Sequence, residues 1–210
     1  MAQKERKRPF YLVLALLGAL AFGTSGALSG WGAFLHYRGA DGADPSIAGE
    51  GLSNQADRVA VVGRYGDYLH ALDAAKKRGW PLGVAELLLG SALFAFALRA
   101  FGRSRTARAV LVQLVIVQAG VNAASYFLMR DVAEADLRVG EAEEAAVIRQ
   151  HMPEWGHPDE RAHAAVSLLR KASPWLFAIH TLGSALIVIA LTTRRTRELF
   201  DSEPEPAPEP

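Results

Sequence analysis

The chain has 210 residues, half of them hydrophobic, and 23 basic against 22 acidic side chains leave a formal net charge of +1. The basic residues lie in short clusters rather than along one stripe, so the charge pattern offers no footprint for nucleic acid. With no cysteine, a disulfide framework, a thiolate nucleophile and a cysteine-ligated zinc or iron–sulfur site are all excluded.

Residues 1–9 carry Lys4, Arg6, Lys7 and Arg8 and lead into an apolar segment at 10–36. The order also resembles a secretory signal, with Ser25 and Ala27 as small residues before a cleavage site. The apolar run continues through Trp31, Phe34 and Leu35, too far for a signal core, which favours an uncleaved signal anchor. Residues 37–79 form a first loop. Its start, from Gly39 to Asn54, is rich in Gly, Ala and Asp and reads as irregular, and Asp41, Asp44 and Glu50 lack calcium-loop spacing. An amphipathic helix follows at about 56–78, with Val62, Tyr65, Leu69 and Leu72 at helical spacing.

A second apolar segment occupies 80–101, a basic turn with Arg103, Arg105 and Arg108 fills 102–108, and a third apolar segment runs over 109–130. The second loop, 131–173, continues that span with a weaker stripe of Val132, Ala135, Val139, Ala142 and Ala146. It breaks between Met152 and Pro158 and resumes as a helix from Asp159 with Ala162, Val166 and Leu169 on one face. The fourth apolar segment, 174–193, ends at Arg194, Arg195 and Arg197. The remainder of 194–210 is acidic and proline-alternating, a composition that stays extended.

Each apolar segment supplies the roughly 20 residues that a helix rising 1.5 Å per residue needs to cross a hydrocarbon core of about 30 Å. Four such helices exceed what a soluble chain of this size can enclose. The expected fold is therefore all-α and polytopic, with four transmembrane helices and, outside the membrane, a small helical cap formed from the amphipathic loops. The basic clusters at the N-terminus, in the 102–108 turn and after the last span assign those parts to the cytoplasm, of a bacterial inner membrane. Lys76, Lys77, Arg78, Arg170 and Lys171 flank the other side and dilute the bias.

An internal echo supports two duplicated hairpins. A shift of 93 residues lays Pro81 on Pro174 and Gly90-Ser91-Ala92-Leu93 on Gly183-Ser184-Ala185-Leu186, as a repeat with its pseudo-two-fold axis along the membrane normal would. The same shift sets Gly26, Ala27 and Gly30 against Ala119, Gly120 and Ala123.

Charged groups inside a span are costly and so carry the best functional signal. Glu86 and His180 each lie six residues past the start of a span, at Trp80 and Pro174, which places both about 9 Å deep. Gln118, Asn122 and Ser125 share a face of the third span, with Ser184 on the fourth and Thr24, Ser25 and Ser29 on the first. Together they describe a polar pocket holding a proton or a small polar or cationic ligand. The plainer alternative has Glu86 snorkelling to the interface and the amides joining helices. Gly26 and Gly30, with Gly83, Gly90 and Gly183, let helix backbones approach, within one chain or between copies.

No metal or cofactor site emerges. His151, His157 and His163 with Glu154, Asp159 and Glu160 contain one Glu-x-x-His pair where carboxylate-bridged sites need two, and His180 and the marginal His36 do not make a haem pair. The first functional expectation is a non-enzymatic membrane protein whose outer cap binds a partner or ligand in sensing, assembly or envelope maintenance. The alternative is a small oligomeric carrier or channel using the Glu86 and His180 layer. An intramembrane enzyme ranks last, since no nucleophile pairs with a base. The partners implied are lipid, a membrane or periplasmic protein, and a second copy of the chain.

Overall fold

The computed structural model describes residues 8–39, 44–102 and 104–201. Lys4, Arg6, Lys7, Asp41, Arg103 and the tail beyond Asp201 lie outside these residues. The described residues form helices and short 3-10 turns, with no strand: α1 (Phe10–Gly39), α2 (Gln55–Phe101), α3 (Arg105–Leu128), α4 (Arg130–His151), α5 (Pro158–Thr192) and α6 (Arg194–Asp201). Among them α1, α2, α3 and α5 are long and apolar enough to cross a membrane, as expected of an integral membrane protein.

Two of these helices are longer than the hydrophobic pattern suggests. α2 carries the amphipathic segment and the apolar one as a single helix of 47 residues with Pro81 inside it, and α5 does the same across Pro174. A proline removes one backbone donor and crowds the carbonyl four residues earlier. In α2 the preceding residues, Asp73-Ala74-Ala75-Lys76-Lys77, include strong helix formers that carry the helix through. Between α3 and α4, by contrast, the helix pauses only at Met129, whose amide still bonds to the Ser125 carbonyl at 3.0 Å.

The chain divides into two compact units. The first comprises residues 8–32, 82–123 and 178–201 of those described. Its core joins Leu12, Leu16 and Ala19 of α1 to Leu93 and Ala97 of α2, Leu111 and Val115 of α3, and Ile187 and Leu191 of α5. Outside this core lies a surface of large apolar side chains, among them Leu88, Ile116, Leu182 and Leu186, all more than half exposed. An apolar exterior around a tight interior is what lipid requires and water penalises.

α6 closes one end of this unit. The sequence leaves 194–201 as the start of a tail, but Thr196, Leu199 and Phe200 are buried. Arg108 lies over the Phe200 ring at 5.9 Å and donates to the Leu191 carbonyl at 3.1 Å, while Arg105 pairs with Asp201 at 3.1 Å.

The second unit contains 33–81 and 124–177. Tyr37, Tyr68, Leu72 and Val139 form its core, with Tyr65, Met129 and Val132 packed around them. The amphipathic segments of both loops thus pair with one another. The buried stripe of α2 is Val61, Tyr68, Leu72 and Ala75, turned slightly from the expected Val62, Tyr65, Leu69 and Leu72. On α5, Ala162 and Val166 are buried but Leu169 is 61% exposed.

Ion pairs tie the polar surface of this unit. Arg149 bridges Asp57 at 2.9 Å and Asp159 at 2.8 Å, and Arg170 grips both oxygens of Glu134. Asp44 caps the 3-10 turn Pro45–Gly49 by accepting from the Ser46 amide at 2.9 Å.

Candidate functional site

The site in the first unit begins with glycines that bring α1 and α2 together. Gly30 lies against the backbone of Gly83 and Leu87, and Gly23 lies against Gly90 and Phe94. Both pairs are seven residues apart on each helix, the repeat expected when two antiparallel helices hold one seam in register. A side chain at either position would meet backbone: a Cβ on Gly23 would stand 2.7 Å from the Phe94 amide nitrogen. Gly26, Gly30, Gly83 and Gly90 all lie where the two helix backbones approach. Gly23 is a fifth, and its seven-residue match to Gly30 is the signal that identifies it. Gly183 meets the Phe22 ring instead, at 2.7 Å from a built Cβ.

This close seam sets the polar groups. Glu86 is 8% exposed and accepts a hydrogen bond from the Ser29 hydroxyl at 3.2 Å. The carboxylate thus lies inside the unit and takes its donor from α1. Thr24 turns away and bonds to the Leu20 carbonyl of its own helix.

A second group assembles beside Gly26. Gln118 is 2% exposed, and its Nε2 would be 2.7 Å from a Cβ on Gly26, so the amide occupies the space the glycine leaves. Gln118 Nε2 donates to Asn122 Oδ1 at 3.2 Å. Asn122 Nδ2 in turn lies 3.2 Å from one ring nitrogen of His180 and 3.3 Å from the other. The Phe22 ring stacks on the imidazole with centroids 4.1 Å apart. Ser184, one turn further along α5, is buried at 4% exposure. Ser125, expected on the same face of α3, belongs to the second unit.

The amide chain has a direction. Either neutral tautomer of His180 leaves one ring nitrogen with a lone pair for Asn122 Nδ2. A doubly protonated ring has none, so Asn122 must then present Oδ1 to the ring and turn its amino group toward Gln118. That amino group would meet Gln118 Nε2, itself a donor, so Gln118 must reverse too and present Oε1, which in the present arrangement is buried without a hydrogen-bond partner among the described residues. Gaining a proton at His180 is thus coupled, by hydrogen-bond inventory alone, to the polarity of an amide that abuts Gly26.

The second unit offers a different kind of opening. A cleft of about 250 Å³ is lined by Arg64, Arg138 and Arg149 together with Glu141 and Asp159. Arg149 and Asp159 close one wall through their ion pair, and Glu141 is held by His163 at 2.8 Å. Among the described residues no three His, Asp or Glu side chains gather closely enough to share a metal ion; His157 faces Glu160 at 3.8 Å.

No family model, curated protein or solved structure matches this chain. The functional reading therefore rests on the geometry of the two units.

Proposed function

We propose that the protein is a small carrier or channel that binds a proton or a small polar solute within its membrane-embedded layer of Glu86, Ser29, Gln118, Asn122 and His180. The observation that carries this reading is the burial of Glu86 and of Gln118, which leads by hydrogen bonds to the half-buried Asn122 and His180, with one amide acceptor left unfilled. Burying ionisable and amide groups in a span costs several kcal/mol. A site that takes up and releases a proton gives that cost a purpose.

In this reading the basic ends of the spans face the cytoplasm of a bacterial inner membrane, the first span is retained as a signal anchor, and the amphipathic loop segments form the outer cap. The two hairpins descend from one duplicated unit. The test is pH-driven flux in liposomes reconstituted with the full chain. Glu86→Gln and His180→Ala should each lower the flux at least about tenfold, the loss expected when a charged hydrogen-bonding group of about 1.5 kcal/mol is removed. Full pH-dependent flux in Glu86→Gln would overturn the proposal.

The arginine-lined cleft favours a second reading, in which the cap recognises an acidic ligand or partner segment and the protein serves in sensing, assembly or envelope maintenance. Arg64→Glu combined with Arg138→Glu should abolish crosslinking to an acidic partner. Unchanged crosslinking would remove the cleft from that role.

A further inference from the structure

A groove of about 740 Å³ runs along the first unit between the N-terminal half of α1 and the C-terminal half of α5. Two glycines open it. Gly18 and Gly183 present no side chain, and a Cβ on Gly18 would already be 3.3 Å from Ile187 Cδ1. Leu14, Phe22, Leu186 and Ile189 make its walls, and no carboxylate is among the described residues that line it.

The groove is polar at one end only. There Tyr11, Thr193 and Arg195 meet, with the Tyr11 hydroxyl 3.4 Å from Thr193 Oγ1. From Tyr11 to Phe22 the helix rises about 16 Å, roughly half of a hydrocarbon core of about 30 Å. The depth therefore matches the acyl region of a single leaflet, and the guanidinium stands where that leaflet's headgroups begin. A guanidinium with neighbouring hydroxyls suits a phosphodiester, which accepts two parallel hydrogen bonds from the planar fork. Arg197 of α6 adds positive charge close by in the chain, while Arg194 is paired with Glu198 at 2.9 Å.

We infer that this groove binds one acyl chain of an anionic glycerophospholipid, with its phosphate on Arg195. The groove borders the polar layer at Phe22, whose ring stacks on His180, but neither Glu86 nor His180 lines it.

The test uses the full chain, purified in detergent and stripped of lipid, then titrated with phosphatidylglycerol or phosphatidylcholine of identical acyl chains. Native mass spectrometry counts the lipid retained. One phosphatidylglycerol should bind about tenfold more tightly than phosphatidylcholine, because both share the phosphodiester but the choline cation offsets the negative charge that Arg195 attracts. Arg195→Gln should remove the preference and Arg195→Lys should keep part of it; Arg195 is exposed, so neither change disturbs packing. Ala190→Phe, which fills the groove, should weaken both lipids alike. Equal binding of the two lipids, a preference that survives Arg195→Gln, or a dimer that covers the groove and excludes lipid would overturn the inference.

Discussion

At Gly90 the space that a methyl group would need is already occupied by the Gly26 and Ala27 backbone, with the Gly23 carbonyl 2.8 Å from a built Cβ. Gly90→Ala should therefore cost about 1–3 kcal/mol, the usual penalty for overpacking a tight contact. Gly32→Ala and Gly120→Ala, where nothing among the described residues lies within 4 Å, should be neutral or gain up to about 1 kcal/mol from helix propensity. Reversible unfolding in mixed micelles separates the two classes. Gly120 also corresponds to Ala27 in the sequence echo, yet Ala27 packs on Gly90 while Gly120 is open, so matched positions have different surroundings. Tyr68 offers a check in the second unit. Burial, with Asp136 nearby, raises its hydroxyl from 10.0 to about 12. The raised value means that its stabilising contribution is complete below pH 10 and is lost as pH rises through about 12. Tyr68→Phe should remove the most alkaline step from a tyrosinate titration. Glu86 and His180 were legible in the sequence because ionisable groups stand out in apolar windows. Ser29, Gln118 and Asn122 were placed beside them by depth, but which of them pairs with which was not legible, because linear spacing says nothing of how far each helix is rotated about its axis.

Among the elements, the four apolar helices were legible from run length alone, and the two amphipathic loops from period. The helix at about 56–78 and the span at 80–101 are one helix, as are the helix from Asp159 and the span at 174–193. One missing backbone bond is a small loss against the helix on either side, and a proline marks a helix boundary only when its neighbours agree. The stripe on α2 was misplaced by about one residue because Val61 and Val62 are equally apolar; only the packed partner decides between them. α6 was missed because eight residues, mostly charged, leave just Leu199 and Phe200 as apolar signal. Phe200 is 2% exposed, and Phe200→Ala should cost about 3–5 kcal/mol. A lowered melting temperature together with faster hydrogen exchange at α6 would bear this out. An unchanged melting curve would show that α6 does not hold that end of the unit.

For the whole molecule, each unit has its own core and its own kind of polarity. The first buries an amide and a carboxylate beneath an apolar exterior, as lipid demands. The second pairs several of its charges, most of them at the surface. Asp57 is buried against Arg149, so Asp57→Ala should destabilise the second unit by about 1–2 kcal/mol, between the values for exposed and buried pairs. The account stands on four crossings, and the absence of native cysteine makes them directly measurable. Single cysteines at Ser53, Ser104, Trp155 and Glu198, introduced one at a time, are probed in intact cells with a membrane-impermeant maleimide. Ser53 and Trp155 should label from outside, and Ser104 and Glu198 only after the membrane is opened. Labelling of Ser53 and Ser104 from the same side would contradict the account.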